Sequence, residues 1–374
     1  MQRILSTGAS IALAFAVFCS PAALLADEST DVLLLESRLL GEQRTVRVSL
    51  PDSYRHSKRT YPVFVTTDAE LVHEFAYGTS LVLARQGTVP EMIVVGIVNS
   101  DREKHLYYEV DNFIAFLGEE LLPALDDRYR TSKLRILYGF SSGTVPVDTL
   151  LFSNSPLFSL YISAGWGLSD AGYERLAALL ETTPLSGQRV YLSTEGTTRR
   201  RKNVVRFLSH LDDQHPDELQ WKGHIYEDLD HGDVMTRGLF DGLDFLFEDW
   251  AIPSELASQG LDGLAEHEAK LGQVLSDDVA LQSEALAGAA FELLHTGERE
   301  HAGAVLSLFD EAVRRKPWGA EMLAYRAYAL WQYDQKDRAR IALRKAIDTA
   351  TRDSDPRLPE YENVLSQWDE VLPE

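Results

Sequence analysis

The feature that most restricts the fold of this chain is a change of hydrophobic period, repeated through its first two thirds. Short apolar runs rich in β-branched and aromatic residues recur there: Thr45–Leu50, Tyr61–Thr67, Met92–Val98, Leu134–Tyr138, Leu160–Ser163 and Val190–Ser193. They have the length of strands, and their nearly unbroken apolar character is that of strands covered on both faces. Between two of them, Phe113, Phe116, Leu117, Leu121, Leu122 and Leu125 recur at helical spacing, which lays one apolar stripe against a sheet. Strand, helix, strand in repetition predicts a mostly parallel sheet with helices on both faces, the α/β class.

From about Leu261 the strands disappear and Ala, Leu, Glu and Arg dominate. Gly297, Ala302, Phe309, Ala312 and Pro317, then Trp331, Ala339, Leu343 and Ala346, place small and aromatic residues at roughly repeating intervals. That spacing lets paired helices pack closely and resembles tetratricopeptide repeats, with a short insertion in the first and no closing proline in the second. A plain helical bundle is the other reading. A single core stops growing near ~250–300 residues, so 374 residues are expected to form two units, 27–252 as the α/β unit and 253–374 as a small all-α unit.

Residues 1–26 carry one positive charge, an apolar run and small residues before the acidic start at Asp27. This is the pattern of a cleavable secretory signal, with an apolar part too short for a settled membrane span. A periplasmic or secreted protein is the expectation. Cys19 is the single cysteine, so the mature chain is left without a disulfide or a thiolate metal site. Lipid attachment at Cys19 is disfavoured by the bulky Phe18 before it. The net charge of −22 argues against nucleic acid or an anionic membrane as partner.

Gly139-Phe-Ser-Ser-Gly143 fits G-x-S-x-G and follows the run Leu134–Tyr138, where the sheet would turn into a helix. The five-residue pattern alone is common; its place after a strand gives it weight. A tight strand-to-helix turn crowds the central serine, and glycines on either side of it remove the side chains that would collide. Ser141 would project from the sheet edge, and the amide of Ser142 would face a developing oxyanion. Pro146 is tolerated only in a first helical turn, which fits a helix starting near 142–144.

A serine hydroxyl needs a base to take its proton. His231 stands in a loop-like stretch after a strand-like run and before the amphipathic segment Thr236–Phe247, so it would lie at the carboxyl ends of the strands with Ser141. His224, inside the strand, and His73, near the early sheet, are weaker candidates.

From about Leu33 to Phe247 the chain resembles the esterase branch of the α/β-hydrolases that includes enterobactin esterases, S-formylglutathione hydrolases and mycolyl-type acyltransferases. The resemblance is carried by Tyr61–Asp68, Val95–Arg102, the helix segment Glu119–Pro123, the elbow itself and Asp230–Val234. It implies a serine ester hydrolase using no metal or cofactor on a small-molecule ester. Ala69 is then the second oxyanion amide, and Asp68, Asn99 and Arg102 are substrate-binding residues. Glu195, in Ser193–Thr197, is the loosely matching third catalytic group; a Ser/His dyad is the alternative, and Asp228 or Asp230 could also orient His231. The chain departs from the family at Thr144, where a second glycine is usual, and at Ala69, where the family has glycine after the aspartate. Those departures motivate a rival reading, an inactive hydrolase scaffold whose helical unit binds a protein or peptide.

Thr197–Lys202 places four cations in an otherwise acidic chain. Cations at the start of the helix that would follow oppose its dipole. Two readings are open: Arg199 and its neighbours bind an anionic, siderophore-like ester, or the run is solvated. Neither H-E-x-x-H, a Walker loop nor G-x-G-x-x-G is present, so metal and nucleotide chemistry have no motif to rest on.

Overall fold

A computed structural model describes residues 30–185, 187–197, 201–214, 219–276 and 280–371. The expected signal segment 1–26 and Arg199 lie outside the described residues. Strands β1 (Thr30–Ser37), β2 (Glu42–Ser49), β3 (Tyr61–Thr66), β4 (Ile93–Ile97), β5 (Thr131–Phe140), β6 (Leu160–Ala164), β7 (Arg189–Glu195) and β8 (Gln220–Tyr226) form one sheet in the order β1-β2-β4-β3-β5-β6-β7-β8. β1 pairs antiparallel with β2 and β2 antiparallel with β4, while every pairing from β4 to β8 is parallel. The parallel strands β3, β4, β6 and β7 are buried at every position, as expected of strands covered on both faces, although β7 also buries Arg189, Ser193, Thr194 and Glu195. β1 was not expected: it is an edge strand that alternates buried Leu33 with exposed Val32 and Leu34, too weak a pattern to read alone.

Helices cover both faces. On one side lie α1 (Ala69–Arg85) and α7 (His231–Leu246). The other carries α2 (Val110–Phe116), α3 (Leu122–Arg128), α4 (Thr144–Phe152), α5 (Asp170–Thr182) and α6 (Arg201–Gln214). The stripe expected from Phe113 to Leu125 is present, but a π-helical turn over Leu117–Leu121 joins α2 to α3. The wider turn brings Leu121 and Leu122 into line with Phe116 and Leu117, five residues before them, and all four are buried.

After α7 the chain is helical: α8 (Ser254–Ala257), α9 (Leu261–Val274), α10 (Ser283–His295), α11 (Ala302–Arg315), α12 (Ala320–Gln332), α13 (Lys336–Asp353) and α14 (Leu358–Val371). The last strand ends at Tyr226, and one hydrophobic cluster runs across the expected boundary at 252/253. The cluster containing Val72, Tyr138, Ile162, Leu239 and Trp250 continues into Leu264, Leu286, Ala290, Leu308 and Met322. Gly87 sits at this seam with φ +75°, and a methyl group on it would lie 2.7 Å from the carbonyl oxygen of Glu284. The Glu91 amide donates to Oε1 of Gln282 at 2.8 Å across the same seam. A second cluster belongs to α12–α14, where Trp331 stacks on Trp368 with ring centroids 4.3 Å apart.

Candidate active site

β5 ends at Phe140, a single 3-10 turn covers Ser141–Gly143, and α4 begins at Thr144. Ser141 has φ +56°, a left-handed conformation that a side-chain-bearing residue adopts at a cost of order 1–3 kcal/mol and that persists where the surroundings enforce it. The flanking glycines supply the room. A methyl group on Gly139 would lie 2.0 Å from the Gly143 carbonyl oxygen, and one on Gly143 would lie 2.3 Å from Oγ1 of Thr67. Pro146 falls in the first turn of α4, where its missing N–H leaves no bond unmade. Thr144, the departure from the family pattern, turns inward: it is buried, and its Oγ1 donates to the Ser141 carbonyl at 2.8 Å. Ser142 Oγ donates to Oε1 of Glu103 at 2.7 Å.

His231 is the first residue of α7 rather than a loop residue. Asp230 caps that helix, its Oδ1 accepting from the amides of Gly232 and Asp233 at 3.1 and 3.2 Å. That occupies the Asp230 carboxylate, and Asp228 is exposed. Glu195, the last residue of β7, is the acid that reaches the imidazole: its Oε2 lies 3.1 Å from Nδ1 of His231. Parallel pairing of β7 with β8 sets Glu195 opposite Tyr226, so the acid and the approach to His231 leave the same edge of the sheet. The imidazole rests on the elbow. Its ring lies 4.8 Å, centroid to centroid, from that of Phe140, the residue before Ser141. Beside both rings the chain turns at Gly165 with φ +63°; a methyl group there would lie 2.9 Å from Cε1 of His231. His73 is buried beside Ser49, and His224 faces the ring of Tyr226, away from this arrangement.

Below the elbow lies a buried polar network. Asp68 is fully buried; its Oδ1 accepts from Arg102 Nε at 2.5 Å and from Asn99 Nδ2 at 3.0 Å, and Oδ2 accepts from Thr67 Oγ1 at 3.0 Å. Burial raises the Asp68 carboxyl above its ordinary range, with the Arg102 guanidinium opposing the shift. Arg102 Nη2 also donates to the Phe140 carbonyl at 2.6 Å, and Asn99 Nδ2 to the Thr67 carbonyl at 2.9 Å. The expected substrate-binding groups Asp68, Asn99 and Arg102 therefore turn toward protein, bracing the elbow against the Thr67–Asp68 turn. Ala69 is buried and opens α1, whose first amides have no acceptor within the helix. In the cationic run, Arg201 makes a two-pronged ion pair with Glu227, 2.6 Å at each prong, and donates to the Gly196 carbonyl.

Sequence reasoning missed the seat of the imidazole, Phe140 and Gly165, and the buried carboxylate of Asp148 behind it. A residue in the apolar stretch of α4 with a charge, Asp148, was the signal available for the second.

A model of the family described as "Putative esterase" matches residues 37–193. No curated protein matches the chain. Among solved structures, the chain is similar to an IroE-like serine hydrolase from Shewanella oneidensis, with TM-score 0.66 and 21% identity over 75% of this chain and 98% of that one. It is also similar to an uncharacterised protein from Capnocytophaga ochracea, with TM-score 0.60 and 14% identity over 85% and 93% of the two chains. The siderophore hydrolase EstB from Aspergillus nidulans aligns with TM-score 0.52 and 17% identity over 62% and 98%. These likenesses share the α/β-hydrolase fold.

Proposed function

We propose that the chain, whose residues 37–193 match the family described as "Putative esterase", is a carboxylic ester hydrolase that works by acyl transfer through Ser141, His231 and Glu195. With Glu195 ionised, Nδ1 of His231 carries the proton that points at the carboxylate, and Nε2 is left with its lone pair. Nε2 takes the Ser141 proton as Oγ attacks the ester carbonyl carbon. The amides of Ser142 and Ala69 donate to the oxyanion that forms. Collapse breaks the bond to the alcohol oxygen, which leaves with the proton from the imidazolium. Water then attacks the acyl-enzyme, with His231 again as base, and the free acid departs.

The observation that carries this reading is the contact between the His231–Glu195 pair and the elbow residue Phe140, beside a serine in the left-handed region. Thr144 is buried with its Oγ1 on the Ser141 carbonyl and Ala69 is buried, which supports an active elbow over an inactive scaffold. Export is proposed on the pattern of residues 1–26; among the described residues no helix is long and apolar enough to cross a membrane. For substrate we propose a small ester, siderophore-like or otherwise anionic, with Arg199 as its cationic contact. The likeness to a siderophore hydrolase and the position of the cationic run directly after Glu195 support that class.

Labelling with a fluorophosphonate and mapping the adduct by mass spectrometry tests the mechanism. The adduct is expected on Ser141, and p-nitrophenyl acetate turnover is expected to vanish in Ser141→Ala. Turnover in that variant, or an adduct elsewhere, would sink the reading.

A further inference from the structure

Behind the imidazole the protein buries a carboxylate that ester chemistry does not use. Asp148 lies in α4 and is 4% exposed. Its Oδ2 accepts from Nε1 of Trp166 at 2.7 Å and its Oδ1 from Oγ of Ser163 at 3.3 Å. Trp166 is itself buried, and its amide donates to the Ser193 carbonyl at 2.9 Å. One side chain thus links the helix that follows Ser141, the end of β6 and the stretch of β7 that leads to Glu195.

The linked segment is the one on which His231 sits. Between Ser163 and Trp166 the chain turns at Gly165, and it is this turn that packs against His231 Cε1 and against the Phe140 ring. A shift of the turn moves the floor under the imidazole. An apolar residue at 148 would match its neighbours Val147, Leu150 and Leu151, but it would strand the indole N–H and the Ser163 hydroxyl without an acceptor in the core. The cation that faces Asp148 is Arg175 on α5, which acts through its field while its Nη2 donates to Thr149 Oγ1. Burial pushes the Asp148 carboxyl up to about 7, so the group is held at a cost that packing alone does not explain.

We propose that Asp148 is a positioning residue: by holding Trp166 and Ser163 it fixes the Gly165 turn and so the seat of His231. The proposal rests on the reading of His231 as proton carrier. Position matters at this level because a displacement near 1 Å in a reacting group costs on the order of 100-fold in rate.

Asp148→Asn and Asp148→Leu separate the clamp from general stability. The amide retains an acceptor for Trp166 and offers Nδ2 to the Ser163 oxygen; leucine retains only volume. Turnover of p-nitrophenyl acetate is measured per fluorophosphonate-titrated site, below the unfolding temperature of every variant, together with the NMR signal of the His231 Cε1 proton. The Leu variant is expected to lose about 10–100-fold in kcat with KM within about 3-fold, and its His231 signal to move as the ring shifts against Phe140. The Asn variant is expected to recover kcat to within about 3-fold. If the parent is not labelled at Ser141, the acyl-transfer reading falls while the NMR signal still decides the clamp. A folded Leu variant with parental kcat per site and an unmoved signal, or an Asn variant as impaired as Leu, would overturn it.

Discussion

Nδ1 of His231 and Oε2 of Glu195 meet at 3.1 Å across 36 positions of sequence, where the first turn of a helix faces the end of a neighbouring parallel strand. The adjacent acids are otherwise engaged or exposed: Asp230 caps the helix that His231 begins, and Asp228 faces outward. Replacing Glu195 by Gln keeps the shape and removes the charge that stabilises an imidazolium. A fall in kcat of ~10²–10⁴-fold is expected in a p-nitrophenyl ester assay. A loss of only a few-fold would mean that Ser141 and His231 work as a dyad.

Gly143→Ala tests the elbow itself. The added methyl group would lie 2.3 Å from Oγ1 of Thr67 and 2.9 Å from Oδ2 of Asp68, and Asp68 is held on its other side by Arg102. Denaturant unfolding is expected to show a loss of about 1–3 kcal/mol, with fluorophosphonate labelling of Ser141 slowed. Parental stability and labelling would mean that the turn is looser than this geometry.

Asp148 also predicts a pH dependence of stability. Its folded-state carboxyl titrates near 7, above the ordinary carboxylate range, so the folded protein binds this proton more tightly than the unfolded chain does. Its contribution therefore weakens the fold as pH rises from about 4 to about 7, by up to about 4 kcal/mol. Urea unfolding of Asp148→Asn should match the parent near pH 4 and exceed it near pH 8. Parallel curves for the two proteins would contradict this.

Gly87→Ala probes the seam between the sheet layer and the helical region. The position has φ +75°, and the methyl group would meet the backbone of Glu284 and Ala285 at 2.7–2.8 Å. Because one core runs through the seam, a lowered Tm with a single calorimetric transition is expected. Two separated transitions would show that the helices fold as an independent unit.

Arg199→Glu addresses the substrate. With Arg201 paired to Glu227 and Arg102 to Asp68, fewer cations of this region remain for a ligand, and Arg199 is the one proposed for it. Charge reversal there should raise KM for anionic esters at least several-fold more than for neutral esters of the same size. Equal effects on both would remove the anionic class.

Sequence by itself determined what depends on neighbouring residues. The strand runs are legible because a parallel strand buried on both faces is apolar at nearly every step, as Ile93–Ile97 is. The serine elbow is legible because Gly139 and Gly143 relieve clashes made within a few residues of chain. That His231 belongs to the same edge of the sheet as Ser141 is legible from topology, since both follow parallel strands, and its ring packs on Phe140, the residue before that serine. Tertiary structure decided the rest, because it depends on which distant groups burial brings within hydrogen-bonding range. Glu195 rather than Asp230 reaches the imidazole because one acid ends a strand while the other is drawn into a helix cap. Arg102 and Asp68 brace the elbow because a fully buried carboxylate must find a cation inside the protein. The helical region joins the sheet's own core through contacts that have no local periodicity, so composition could not tell that the packing continues.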